Sequence, residues 1–104
     1  MTAVEWARPA IEDLAGIVAY VTRDSAAHAD ALARRIILAA EKLPLFPKRG
    51  RIVPEAGNAL IREILTPPYR IIYRLRKETV QIIAVVHSAR ELARLKLKPW
   101  ETKY

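Results

Sequence analysis

Cysteine is absent from the 104 residues, so neither a disulfide framework nor a zinc–thiolate site can be built. That absence fits a reducing cytosol. Glycine occurs only three times, scattered at Gly16, Gly50 and Gly57, which excludes a glycine-rich phosphate loop. Histidine occurs twice, and His28 lies far from His87 in the chain. A metal site is therefore not expected, nor is a Ser-His-Asp arrangement, and no cofactor is implied. There is no uninterrupted apolar run near the ~18 residues that a membrane helix needs. The start, Met1-Thr2-Ala3-Val4-Glu5-Trp6, has no basic segment leading into an apolar one, so a signal peptide is not expected. These absences point to a cytoplasmic chain without membrane association. Internal repeats and low-complexity segments are also missing.

What is present is apolar and basic. Hydrophobic residues make up 52% of the chain, too many for disorder. The length fits one domain, residues 1–104, with a real but thin core. Net charge is +7. Residues 1–52 carry eight basic against six acidic side chains, whereas residues 53–104 carry ten against five. The second half thus favours an anionic partner, either a polyanion or an acidic protein. Charge alone is equally compatible with a well-solvated basic surface.

Periodicity supplies the element order. Residues 3–6 suit a first strand. Pro9 suits the first turn of a helix, where its missing N–H is no loss, and Glu12 and Asp13 place negative charge near the positive end of the dipole. Ile11, Leu14, Ala15, Val18 and Val21 form an apolar stripe on that helix. Asp24 or Ser25 can cap the next one. Its stripe is Ala29, Leu32, Ala33, Ile36, Ala40 and Leu43, and Pro44 and Pro47 end it. The two helices, over about residues 9–43, read as an antiparallel hairpin. A loop with a basic centre at Lys48, Arg49 and Arg51 follows. Then the period changes to that of strands: 59–65, 69–75 and 79–86, joined by Thr66-Pro67-Pro68 and Arg76-Lys77-Glu78. Connections so short make the three strands antiparallel neighbours, spanning with His87 about residues 59–87. A basic tail over about 88–104 begins with a short helix capped by Ser88. The order β-α-α-β-β-β, with an antiparallel sheet and the hairpin packed on one face, is an α+β fold.

Strand parity then sorts the polar residues. Tyr69, Ile71, Tyr73 and Leu75 suit the face under the helices. Arg70 and Arg74 are expected on the opposite, partly open face. In the last strand Val80, Ile82, Ala84 and Val86 form the apolar set, which predicts His87 on the side of Arg70 and Arg74. Parity decides less for Arg62, which shares a face with Leu60 and Ile64. A patch of arginines with a histidine can bind phosphate and move a proton. The plainer alternative is a solvated sheet face whose arginines pair with Glu63, and a histidine that is structural.

The stretches Ile61-Arg62-Glu63-Ile64, Tyr69-Arg70-Ile71-Ile72-Tyr73-Arg74 and Val80 to Arg90 through His87-Ser88-Ala89 resemble the RelE/ParE toxins of type II toxin–antitoxin systems. Ala10, Asp13, Leu14, Ile17 and Tyr20, and the segment Pro47-Lys48-Arg49-Gly50-Arg51, extend the resemblance over residues 3–92. It implies one of two activities. RelE-like members cleave mRNA on the ribosome, which would make His87 the proton carrier and Arg62, Arg70 and Arg74 the phosphate contacts. ParE-like members poison DNA gyrase, which would shift interest to Arg90, Arg94, Lys96 and Lys98 as target-binding residues. Residues 87–90 are closer to the His-Gly-Ala-Arg stretch of the ParE branch, and the extra basic residues of the nucleases are missing before Tyr69. The ParE branch is therefore the preferred expectation. The resemblance also implies a cognate antitoxin that wraps the toxin as a hetero-oligomer. A +7 chain with exposed apolar helix positions predicts that the wrapping segment is acidic and amphipathic. A third class, a non-toxic nucleic-acid-binding module, is weakened because Tyr69 and Tyr73 carry core parity and leave no stacking platform on the sheet.

Overall fold

A computed structural model of the chain describes residues 3–90, 92, 95 and 97–101. The chain runs β1 (Ala3–Trp6), α1 (Arg8–Thr22), α2 (Ala26–Glu41), a 3-10 turn (Leu43–Leu45), β2 (Arg51–Ile52), β3 (Ile61–Thr66), β4 (Tyr69–Leu75) and β5 (Thr79–His87). A last 3-10 turn spans Pro99–Glu101. This is the α+β order read from periodicity, with one two-residue strand added in the loop after the hairpin.

Each helix begins as its sequence dictates. Ala7 enters α1 in extended conformation with proline in the first turn. Ser25 is the cap of α2, its Oγ accepting the His28 N–H at 3.1 Å. The α2 stripe packs as its spacing predicts, with Ala29, Leu32, Ile36 and Ala40 buried and Leu43 just beyond. For α1 the stripe is rotated. Ala10 is buried, Leu14, Ile17 and Val21 pack on the core, and Ile11 is 53% exposed. Apolar residues occupy nearly every side of α1, so spacing alone cannot choose the face; the small Ala10 is the residue it buries fully.

The sheet order is β1-β5-β4-β3-β2. β3, β4 and β5 form the expected antiparallel meander. β1 joins the far edge in parallel with β5, from Ala3 opposite Thr79 to Trp6 opposite Ile82. The sheet is therefore mixed.

An irregularity in β5 changes which residues face which way. Ile72 pairs with Ala84 but Tyr73 pairs with Ile82, leaving Ile83 as an extra residue. Such a bulge reverses the alternation beyond it. Val80, Ile82 and Val85 pack under the helices, while Ile83, Ala84 and Val86 join the opposite face. The expectation that Ala84 and Val86 face the helices is thus corrected. So is the expected position of His87, which pairs with Tyr69 on the helix side rather than joining Arg70 and Arg74.

The second face is also covered, not partly open. Ala7, Val53, Ile61, Ile72, Ile83, Ala84, Val86 and Leu92 form a second buried cluster there. Ala56, Leu95 and Trp100 pack over it, so the loop before β3 and the C-terminal segment close this side.

Candidate functional site

The second face is dominated by a charge network centred on Arg70. Its guanidinium donates to Glu63 at 2.5 Å and to both oxygens of Glu55 at 3.0 and 3.2 Å. Arg51 engages the other oxygen of Glu63. Glu63 is 1% exposed and Arg70 5%. Burial opposes the Arg70 cation, but its hydrogen bonds to Glu55 and Glu63 outweigh that and hold it charged. The bond from Arg70 likewise keeps the Glu55 carboxyl below its ordinary range. Two cations and two carboxylates thus close on one another, and the guanidinium of Arg70 is fully occupied within the fold.

The other arginines singled out from the sequence also hold chain segments. Arg74 donates to the Trp100 carbonyl at 2.7 Å and ties down the C-terminal segment. Arg62 lies on the helix side, opposite Tyr73. It donates to Ala59 and Gly50 carbonyls at 3.0 Å and to that of Lys48 at 3.4 Å. The Tyr73 hydroxyl completes this loop anchor, donating to the Pro47 carbonyl at 2.7 Å and accepting the Gly50 N–H at 3.0 Å. Burial pushes that hydroxyl above the usual phenol range against the nearby Arg62 and Arg49 charges. Gly50 itself is required by close approach, because a side chain there would meet the Tyr73 hydroxyl at 2.6 Å and the Glu63 carbonyl oxygen closer still.

His87 belongs to a different place. It lines a groove of about 440 Å³ with Glu12, Asp13, Tyr20, Tyr69 and Arg90. Its ring meets Tyr69 edge-on at 5.6 Å between centroids. The Ala89 N–H donates to Nδ1 at 3.1 Å, which leaves Nε2 to carry the proton of the neutral ring. The side chain therefore presents a donor to the groove. Asp13 reaches into the same region and accepts the Val85 N–H at 3.0 Å, beside the bulge. Burial raises its carboxyl above the usual range, against the lowering effects of that bond and of the Arg90 charge.

The four residues expected for catalysis are therefore not brought together. Arg70 and Arg74 lie on the second face, Arg62 and His87 on the helix face. Arg62 and His87 pair with Tyr73 and Tyr69, four positions apart on β4, roughly 13 Å at about 3.3 Å per residue. Among the expected target-binding residues, Arg90 is exposed at the mouth of the His87 groove. Lys98 is half-buried and donates to the Leu95 carbonyl at 2.7 Å. Arg94 and Lys96 lie outside the described residues. Sequence reasoning missed Glu55, which sits in a loop with no periodicity to point to it, and underrated Asp13, which it took as a partner for the helix dipole and a residue of the family pattern but not as a site residue. Among the described residues no group of three or more His, Asp or Glu side chains is placed to hold a metal ion. No helix among them is long and apolar enough to cross a membrane.

The chain is thus a helical hairpin laid on a five-stranded sheet, with Tyr-Arg-x-x-Tyr on the central strand β4 and His-x-x-Arg at the end of β5. A family model described as the ParE toxin of type II toxin–antitoxin system, parDE, matches residues 4–92. The Toxin RelE2 of Caulobacter vibrioides is 35% identical over 91 residues, covering 86% of this chain and 99% of that protein. The fold is also similar to a solved chain described as the chromosomal ParDE TA system from P. aeruginosa, with a TM-score of 0.69 at 22% identity over 84% of this chain and 96% of that one. The chain belongs to the ParE toxin family of the RelE/ParE superfamily, and membership implies an antitoxin partner.

Proposed function

We propose that this toxin arrests growth in the cytoplasm by binding and poisoning DNA gyrase, and that a cognate acidic antitoxin wraps and silences it. The observation that carries this reading is the engagement of Arg70 by Glu55 and Glu63 on one face while His87 stands on the other. A phosphodiester nuclease needs a proton carrier and a charge stabiliser around one scissile bond. Here the best cation is neutralised inside the fold and the histidine lies across the sheet. A protein-binding poison needs no such assembly. Exposed Ile11 and Tyr20 on α1 and Ile37 and Leu38 on α2 support an amphipathic wrapping segment.

The second reading is ribosome-dependent mRNA cleavage. It is favoured by the groove, where the His87 donor stands near Arg90 and Tyr69. The two part in a translation reaction to which the toxin is added. Intact message beside loss of gyrase supercoiling supports the gyrase reading. Cut message that becomes intact with His87→Ala overturns it.

A further inference from the structure

One end of the molecule carries charge that the gyrase reading does not use. Between Glu41 and Glu55 the chain has four cations, Lys42, Lys48, Arg49 and Arg51, and no acid. The Arg62 guanidinium joins them by bonding the Lys48 and Gly50 carbonyls. Of the nearby acids, Glu55 and Glu63 are already held by Arg70 and Arg51. Lys48 and Arg49 are exposed and have no acidic partner among the described residues.

The same loop exposes two large apolar side chains. Leu45 is 74% exposed and Phe46 70%. With Pro47, Lys48, Arg49 and Leu75 they line an open depression of about 550 Å³. The loop is rigidly built rather than loose. Tyr73 clamps it at Pro47 and Gly50, and the Phe46 N–H donates to the Leu43 carbonyl at 3.1 Å. An aromatic ring held in water by an anchored loop, directly beside two cations without acidic partners, is the arrangement that stacks an unpaired base and neutralises its phosphates.

We propose that this end binds single-stranded nucleic acid, with Phe46 stacking on a base and Lys48 and Arg49 contacting the backbone. An acidic protein segment is the competing occupant. The stretch from Lys42 to Pro54 holds no acid, which favours the polyanion, because two positive charges stand beside one aromatic along a single stretch of loop. The proposal goes beyond the gyrase reading and does not depend on it, since the binding can be measured with no target present.

The experiment is fluorescence anisotropy of the full chain with labelled oligothymidylate and, separately, oligouridylate, between about 50 and about 200 mM salt. The two probes distinguish DNA from RNA. With Lys48→Ala/Arg49→Ala the slope of log affinity against log salt falls by about 1.4, about 0.7 for each phosphate no longer neutralised. With Phe46→Ala affinity falls on the order of tenfold at unchanged slope. Arg34→Ala, removing an exposed cation of α2 that pairs with Asp30, leaves the slope as in the wild type. All three residues of the proposed site are exposed, so matching thermal melts establish that the variants fold. An unchanged slope in the double variant, or an equal fall with Arg34→Ala, overturns the proposal. So does a Phe46→Ala variant that keeps full oligonucleotide affinity while losing the antitoxin, which would assign the surface to protein.

Discussion

Arg70 shows how far a single residue's role depends on its neighbours. Its type and strand position were legible, and its face was correctly expected. The two carboxylates that meet it were only half visible: Glu63 as a possible pair from parity, Glu55 not at all, because a loop residue follows no period. Removing one partner of a buried pair strands the other charge, at about 3–5 kcal/mol. Because Arg51 still holds Glu63, Arg70→Ala should lower unfolding stability by the lower end of that range, about 3 kcal/mol, in urea titration, and an unchanged midpoint contradicts the network. The same variant tests acid sensitivity. The depressed Glu55 carboxyl contributes stability that is present above its ordinary value of 4.5 and lost as pH falls through its lower folded value. That part of the acid limb should vanish with Arg70. Asp13 has the opposite sign. Its raised folded value means that stability falls as pH climbs from the ordinary 3.8 through the folded value. Asp13→Asn keeps an oxygen to accept the Val85 N–H and removes the buried charge. It should match the wild type at acid pH, where Asp13 is protonated, and exceed it at neutral pH because it lacks that decline, as followed by thermal melts across pH.

Elements were the most legible scale, and their failures have physical causes. The α2 stripe and the Ser25 cap follow from spacing and a side-chain oxygen. Ser25→Ala should cost about 1 kcal/mol by chemical denaturation. The β5 bulge was invisible because Val80 to Val86 is apolar on both parities apart from Gln81, so an inserted residue leaves no mark in the pattern. Yet that one residue moves His87 across the sheet. β2 was hidden for another reason: two residues are too few for a period, and its place is set by the loop anchor at Gly50 and Tyr73. Gly50→Ala must displace the Glu63 backbone or the Tyr73 hydroxyl, and should destabilise by about 1–3 kcal/mol. A thermal melt equal to that of the wild type would show that the loop is not held as described.

At the scale of the whole molecule, family and fold class were open to reading and the arrangement of the faces was not. The C-terminal segment that closes the second face has no strong pattern of its own; among the described residues the Arg74–Trp100 bond and the packing of Leu92, Leu95 and Trp100 reveal its role. With both faces closed, the free chemistry of the toxin lies at its periphery: the His87 groove, the exposed helix positions and the cationic end. That distribution suits recognition of a macromolecular target more than cleavage at a pocket. The most direct test is the supercoiling activity of purified gyrase titrated with wild-type toxin and with His87→Ala. Equal inhibition by both is the predicted result. A wild-type toxin that leaves gyrase untouched at every concentration would contradict it.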